Sequence, residues 1–187
     1  MANDTQKFRR SEAFFGRRKA QRLSIPQQNL VDTLLPKLRF DITQPTPKKL
    51  GSCFESEPKE IILEIGFGGG EHLLHQAKTH SNKAHIGVEP FVNSMAKALT
   101  AIEEDNIDNI RLYDEDATEL LDWLPKASID RVDILYPDPW PKKRHWKRRF
   151  INQKNLSRIA RVLKLGGIMH FASDIDTYIN WTLAHCH

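Results

Sequence analysis

Asp138 stands between two prolines, in the run Tyr136-Pro137-Asp138-Pro139-Trp140-Pro141-Lys142-Lys143-Arg144-His145. Proline fixes φ, so the loop is stiff and can hold a carboxylate and the Trp140 ring in a set geometry. Lys142, Lys143 and Arg144 follow at once, and residues 142–164 carry ten Lys/Arg and no acid. A carboxylate can accept hydrogen bonds from a base edge, an indole face can stack on a base, and a basic block can meet phosphate. A charge run alone would read as a solvated helix face. Acid, aromatic and basic block together in one loop point to a nucleic-acid active site. Trp140 keeps two readings, a stacking platform or a ring packed into the core.

A second group lies upstream, in Glu64-Ile65-Gly66-Phe67-Gly68-Gly69-Gly70. Gly66 and Gly68 permit a tight turn and close approach of a ligand to the backbone. A dinucleotide fingerprint would need its third glycine at position 71, which is Glu71, an acid that would oppose a pyrophosphate at the helix start. The loop therefore suits a nucleoside without phosphates. S-adenosylmethionine is such a ligand, and its positive charge favours the neighbouring Glu64. Glu89 follows Gly66 by 23 residues, where sheets of this kind place a carboxylate on ribose hydroxyls. Asp116 could accept from an adenine amino group, with Asp114 and Glu115 as competitors for that role. Asp174 falls at the end of a later apolar run, either in the same crevice or as a helix cap.

These residues need elements that bring them together. The pattern predicts strands over 61–65, 84–89, 110–113, 132–136 and 168–172. Helices are expected over 71–79, 91–103, 118–123 and 150–162, and one starts at 178–183. Strands alternating with helices imply a doubly wound, mostly parallel α/β sheet, with ligands at the carboxyl ends of the strands. Upstream, residues 27–38 read as one amphipathic helix begun by Pro26, and 41–58 as a Pro/Gly-containing loop. Residues 1–24 read as a flexible basic arm, with Phe8, Phe14 and Phe15 among its charges, ahead of a domain over 25–187.

The length of 187 residues suits one domain with a full core. Its formal charge of +4 hides an asymmetry. Residues 1–22 carry seven bases against two acids, while residues 55–138 carry eighteen acids against seven bases. Basic patches flanking an acidic middle predict salt-sensitive binding to a polyanion. Cys53 and Cys186 fit neither a disulfide framework nor a metal spacing. His72, His75, His80 and His85 lack acids or cysteines in support and read as surface histidines, so no metal is expected. No stretch is apolar enough for a membrane span, and a cytoplasmic protein is the expectation.

These motifs carry a family resemblance. The chain resembles the bacterial tRNA (guanine-N7-)-methyltransferases, class I S-adenosylmethionine enzymes with a Rossmann-like fold. The likeness rests on the Glu64–Gly70 loop, Gly87-Val-Glu-Pro, Asp116-Ala, Pro137-Asp-Pro-Trp-Pro-Lys-Lys-Arg-His and Ala172-Ser-Asp, with Phe15-Gly-Arg-Arg-Lys in the arm. It implies S-adenosylmethionine as cofactor and tRNA as partner, with guanine 46 of the variable loop methylated at N7. It also implies that Glu64, Glu89, Asp116 and Asp138 line the cofactor site, with Asp138 catalytic. Lys142 and Asp174 match substrate-binding positions, and residues 139–144, with Lys143 and Arg144, match an RNA contact. The family continues with two further strands and a Thr-x-x-Glu-type segment. The expectation is thus a C-terminally incomplete domain lacking those strands, with an uncovered edge at the fifth. The alternative function is a catalytically impaired RNA-binding module on the same scaffold. An oxidoreductase using a nucleotide is disfavoured by the glycine spacing and Glu71.

Overall fold

The computed structural model describes residue 18 and residues 20–186; most of the basic arm, including Phe8, Phe14 and Phe15, lies outside these residues. Five strands form one parallel sheet in the order β3-β2-β1-β4-β5. They are β1 (Ile61–Ile65), β2 (Ala84–Val88), β3 (Ile110–Tyr113), β4 (Ile129–Leu135) and β5 (Leu163–Ala172). The helices are α1 (Ile25–Thr33), α2 (Leu35–Leu38), α3 (Glu71–Thr79), α4 (Val92–Glu104), α5 (Ala117–Trp123), α6 (Gln153–Val162) and α7 (Asp176–Cys186). The chain runs outward from β1 to β2 and β3, then returns across β1 to β4. That reversal opens a crevice beside β1 at the carboxyl ends of the strands, the place where open α/β sheets bind ligands.

Both faces of the sheet are covered, which is why β1 and β2 are buried at every position. On one face Ile61, Leu63, Ile65, Val132 and Ile134 pack against Leu120, Leu121, Ile159, Val162 and Tyr178 of α5, α6 and α7. On the other, Ile110 and Leu112 pack with Leu73, Leu74, Met95 and Leu99 of α3 and α4, and with Leu35 and Leu38 of α2. At one end of the sheet β5 is exposed, with Leu165 and Ile168 open to solvent.

Several elements depart from the sequence expectation. The helix expected over 27–38 is two helices broken at Leu34, because Pro36 has no N–H for a bond to the preceding turn. Its true start is Ser24, whose hydroxyl accepts from Gln27 N at 3.4 Å while Gln27 Oε1 accepts from Ser24 N at 3.1 Å. The helix α6 starts at Gln153 rather than 150, because Asn152 Oδ1 accepts from Asn155 N at 3.1 Å. Strand β5 begins five residues before the expected 168, running through a bulge at Gly166 and Gly167. A side chain at Gly167 would put its Cβ 2.9 Å from Lys164 O, so this crossing needs glycine.

One expected surface histidine is in the core. His85 on β2 is fully buried, and neither ring nitrogen has a hydrogen-bond partner among the described residues. Burial, with Arg131, His80, Lys83 and His72 adding repulsion, pushes its pKa down to about 4. An unfolded histidine titrates near ~6.5. The unfolded chain therefore takes up this proton first, and stability present above that pH is lost as the pH falls toward 4. Between pH 7 and pH 4.5 the folded chain should lose about 2–3 kcal/mol through this group alone. His85→Leu should remove that part of the acid sensitivity, checked by denaturant unfolding at both pH values. Equal losses in the two proteins would show that His85 does not set the slope.

Candidate active site

The carboxyl ends of β1, β2, β3 and β4 bring most of the expected site residues to one crevice. After β1 the chain turns through Gly66 and Gly68 with φ of +75° and +55°. A Cβ built on either would meet nothing within 4 Å, so open space lies above both. Glu89, just past β2, fixes this loop from below. Its Oε2 accepts from Gly68 N at 2.8 Å and its Oε1 from Phe91 N at 2.9 Å. Burial raises the Glu89 pKa, the two N–H bonds lower it, and the nearby charge of Asp138 raises it. The charge of Asp138, on the loop after β4, thus reaches Glu89 beside the glycine loop.

Past the third strand three neighbouring acids have different partners. Arg39 binds Asp114 through Nε and Glu115 through Nη2, the latter at 2.7 Å. Asp116 is left outside that clamp and caps α5, its Oδ1 accepting from Thr118 N and Thr118 Oγ1, each at 2.9 Å. Oδ2 of Asp116 takes part in neither bond. Capping and ligand contact are compatible, since a carboxylate has about four acceptor sites.

Glu64, two residues before Gly66, is more enclosed than Glu89, Asp116 or Asp138. Its side chain is only 5% exposed, and Oε2 lies 2.7 Å from His72 Nδ1 on the first turn of α3. Its partner in register on β4 is Asp133, held by Arg131 at 3.0 Å and with His170 Nδ1 at 3.2 Å. Burial raises the Glu64 pKa and His72 lowers it. Glu64 thus presents almost no surface to a ligand and ties the glycine loop's helix to the sheet. The expectation that the histidines lack acidic neighbours fails for His72, since Glu64, His72 and Asp133 offer ligand atoms within 4.8 Å of one another. Glu71, expected to repel phosphate, is engaged by Lys97 Nζ. Glycine spacing, Glu89 and Asp138 still disfavour a dinucleotide.

The proline loop after β4 carries Asp138 exposed to solvent, flanked by left-handed Tyr136 (φ +51°) and Trp140 (φ +42°). Lys142, Lys143 and Arg144 are exposed, and Lys143–Arg148 forms a 3-10 turn where a longer helix would have been the bland expectation. Trp140 is half-buried by its own loop: Arg148 Cζ lies 4.9 Å from the ring centroid and His145 stands edge-on at 5.9 Å. Asp174 is exposed past the end of β5, and the side-chain bond at that turn is made by Ser173, whose Oγ accepts from Ile175 N at 3.2 Å. The end of the basic arm is docked beside Glu89. Val92 N donates to Arg18 O at 2.9 Å, and Asn93 brackets the arm through Ala20 N and Gln21 O, both at 3.0 Å.

Among known proteins, a family model described as "Putative methyltransferase" matches residues 58–187. The tRNA (guanine-N(7)-)-methyltransferase of Rhizobium meliloti (strain 1021) is 58% identical over 183 residues, 98% of this chain and 79% of that protein. The protein of the same name from Agrobacterium fabrum (strain C58) is 57% identical over 183 residues, with the same coverage. The chain belongs to the tRNA (guanine-N(7)-)-methyltransferase family. Among solved structures, precorrin-6y C5,15-methyltransferase from Geobacter metallireducens GS-15 aligns over 89% of this chain and 72% of its own, with TM-score 0.55 and 18% identity. A SAM-dependent O-methyltransferase from Thermotoga maritima aligns over 89% of this chain and 50% of its own, with TM-score 0.52 and 13% identity. At such identities the likeness is one of fold, and it is to the Rossmann-like class I sheet.

Sequence reasoning missed Arg149, His72 and Asn93, the side chains that fasten the loops of this methyltransferase fold. His72 had a readable signal, since a first-turn helical residue eight positions after a strand-end acid faces back toward it. Glu89, expected at the ribose hydroxyls, also carries two backbone bonds at 9% exposure. Glu89→Ala should lower folding stability by about 1–3 kcal/mol, the cost of leaving two part-buried amides unpaired. Denaturant unfolding without any ligand checks this, and a stability equal to wild type would show the glycine loop to be held by other contacts.

Proposed function

We propose that this chain transfers the methyl group of S-adenosylmethionine to N7 of a guanine in tRNA, the guanine at position 46 of the variable loop. One observation carries the reading: an open glycine cradle faces Glu89 and Asp138, and the Asp138 loop continues without a break into the exposed bases Lys142, Lys143 and Arg144. A site with carboxylates inside and cations at its mouth takes a cationic nucleoside and a polyanion together. The relatives' names supply the same substrate and atom.

The open space at Gly66 and Gly68 fits a cofactor lying against the backbone, and the free lone pairs of Glu89 suit ribose hydroxyls. Oδ2 of Asp116 suits the adenine amino group. S-adenosylmethionine brings an electrophilic methyl on a cationic sulfur. Guanine N7 has a lone pair and no proton, so the chain needs no general base; its task is alignment of N7 with the methyl. Asp138 accepts from guanine N1–H and the 2-amino group, an edge that adenine lacks. As N7 gains its methyl the ring becomes cationic and N1–H more acidic, so the bond to Asp138 strengthens toward the transition state. Lys142, Lys143 and Arg144 bind phosphate, and Trp140 shapes the pocket wall under Arg148. Asp174, also at a strand end, is assigned to the substrate side. Residues 25–187 form the methyltransferase domain and 1–24 the RNA arm, in a chain of the cytoplasm. Among the described residues no helix is long and apolar enough to cross a membrane.

The chain incubated with labelled S-adenosylmethionine and unmodified tRNA should label one guanine at N7, mapped by chain cleavage at the methylated base. Label on another base or atom would overturn the reading, and cofactor binding without any transfer would favour the RNA-binding module. Asp138→Ala should abolish transfer with tRNA affinity kept, since the basic turn is untouched. Changing Lys142, Lys143 and Arg144 together to Ala should raise the Kd for tRNA. It should also make the slope of log K against log salt shallower by about 0.7–0.9 per lost phosphate contact. Near-normal turnover of Asp138→Ala would remove that residue from the site.

A further inference from the structure

Arg149 closes the basic block but differs from the rest of it. It is 1% exposed, whereas Lys142, Lys143 and Arg144 face solvent. Its guanidinium lies in a cage of three rings, with Cζ 4.6 Å from the centroids of Trp146 and Tyr178 and 5.6 Å from that of Trp181. The fork is used in two directions. Nε donates to Pro139 O at 2.9 Å, while Nη1 donates to Thr177 O at 2.9 Å and Nη2 to Thr177 Oγ1 at 3.1 Å. None of these partners is a carboxylate, so the cation is stabilised by ring faces and carbonyl oxygens. The cage is itself fastened: Trp181 Nε1 donates to Ile151 O at 2.6 Å, and Tyr178 OH accepts from Ile151 N at 3.3 Å. From the same cage Trp146 Nε1 reaches Pro141 O at 3.3 Å.

Pro139 and Pro141 bracket the left-handed Trp140, and Pro139 follows Asp138 directly. Prolines lack N–H, so this segment has few donors with which to fasten itself, and its carbonyls are the handles left. Resting on the tRNA methylation reading, we propose that Arg149 is a positioning residue: by holding Pro139 O against the first turn of α7 it fixes the Asp138 carboxylate for guanine, and it takes no part in binding phosphate. The planar fork matters more than the charge. A lysine ammonium at this place keeps the cation but does not span Pro139 and Thr177 at once.

The test compares wild type with Arg149→Lys and Thr177→Val in the full chain. For Arg149→Lys the Kd for tRNA should stay within about threefold, while kcat falls on the order of 100-fold, the loss a displacement near 1 Å can produce. Amide hydrogen exchange at Asp138, Trp140 and 142–146 should quicken at least roughly tenfold, as expected for local opening of a loop that has lost its anchor. Thr177→Val removes one bond of the fork and leaves Arg149 in its cage; kcat should fall roughly fivefold, the worth of one hydrogen bond, with faster exchange in the same segment. Folded Arg149→Lys with wild-type loop exchange or wild-type kcat overturns the proposal. So does a raised Kd for tRNA with kcat unchanged, which would make Arg149 an RNA contact. Should Arg149→Lys fail to fold, Thr177→Val decides, and unchanged exchange there overturns the proposal. A wild-type chain that methylates no tRNA overturns the functional reading instead, while the exchange comparison still decides whether Arg149 orders the loop.

Discussion

Two loops leave the same end of the sheet in backbone conformations that neither helix nor strand would hold, and a buried charged side chain helps to pin each. The glycine loop reaches positive φ at Gly66, Gly68 and Gly70, and Glu89 accepts its Gly68 amide. The proline loop reaches positive φ at Tyr136 and Trp140, where each left-handed residue costs about 1–3 kcal/mol. Arg149 and Trp146 hold that loop by its carbonyls. A carboxylate serves the loop that has free amides, and a guanidinium serves the loop whose prolines have removed them. Burial works against both charges, raising the Glu89 pKa and lowering that of Arg149, and the backbone bonds made by each offset that cost.

The sheet was legible because its signals are local. The spans of β1, α3 and β3 match the sequence reading residue for residue, each an apolar or amphipathic run stopped by turn residues. The strand-end positions of Glu89, Asp116 and Asp138 followed from that alternation. What escaped depends on partners far along the chain. Arg39 lies 75 residues from Asp114, and only their contact shows that Asp116 is the acid left over. Arg149 reads as one more base in a basic run, yet its cage draws on Trp181 and Thr177, 28 residues or more away. Pro36 and the Gly166-Gly167 bulge were local signals as well, and there the periodicity of the flanking residues outweighed the breaker.

The ten bases of 142–164 do not make a surface of ten charges. Arg149 is inside the fold, Arg158 binds Asp122 at 2.8 Å, Lys164 binds Asp130 at 2.8 Å, and Arg161 donates to the carbonyl oxygens of Leu121 and Asp122. Arg158, Arg161 and Lys164 fasten α6 and β5 to the elements beside them, and Arg149 fastens the Asp138 loop to α7. Four of the five exposed cations, Lys142, Lys143, Arg144 and Lys147, are gathered instead at 142–147, on the short turn that continues the Asp138 loop, and the fifth is Lys154 on α6. The polyanion-binding surface is therefore smaller than the sequence count suggests and adjoins the crevice. Tethering the arm at Val92 and Asn93 brings the end of the second basic segment to the same rim.

This layout separates what may enter from what must stay outside. Burial is the main reason the Glu89 pKa is raised, with the charge of Asp138 adding to it, and both carboxylates repel phosphate. In the proposed function the cations at 142–144 hold phosphate at the mouth, so that a base is offered to the crevice while its backbone is retained at the rim. The repulsion between the two carboxylates is relieved by any cation placed between them, which favours a sulfonium ligand over a neutral one. In the proposed transfer that positive charge is not discharged to solvent. It moves with the methyl from sulfur to the guanine ring and stays within reach of Asp138. The field that holds the charged donor therefore also stabilises the charged product, and no protein dipole has to reorganise as the charge crosses. An acid acting in this way must be held still rather than be basic. In the proposed transfer that acid is Asp138, exposed and joined to a loop fastened at Pro139 and Pro141, so what the fold supplies to it is geometry.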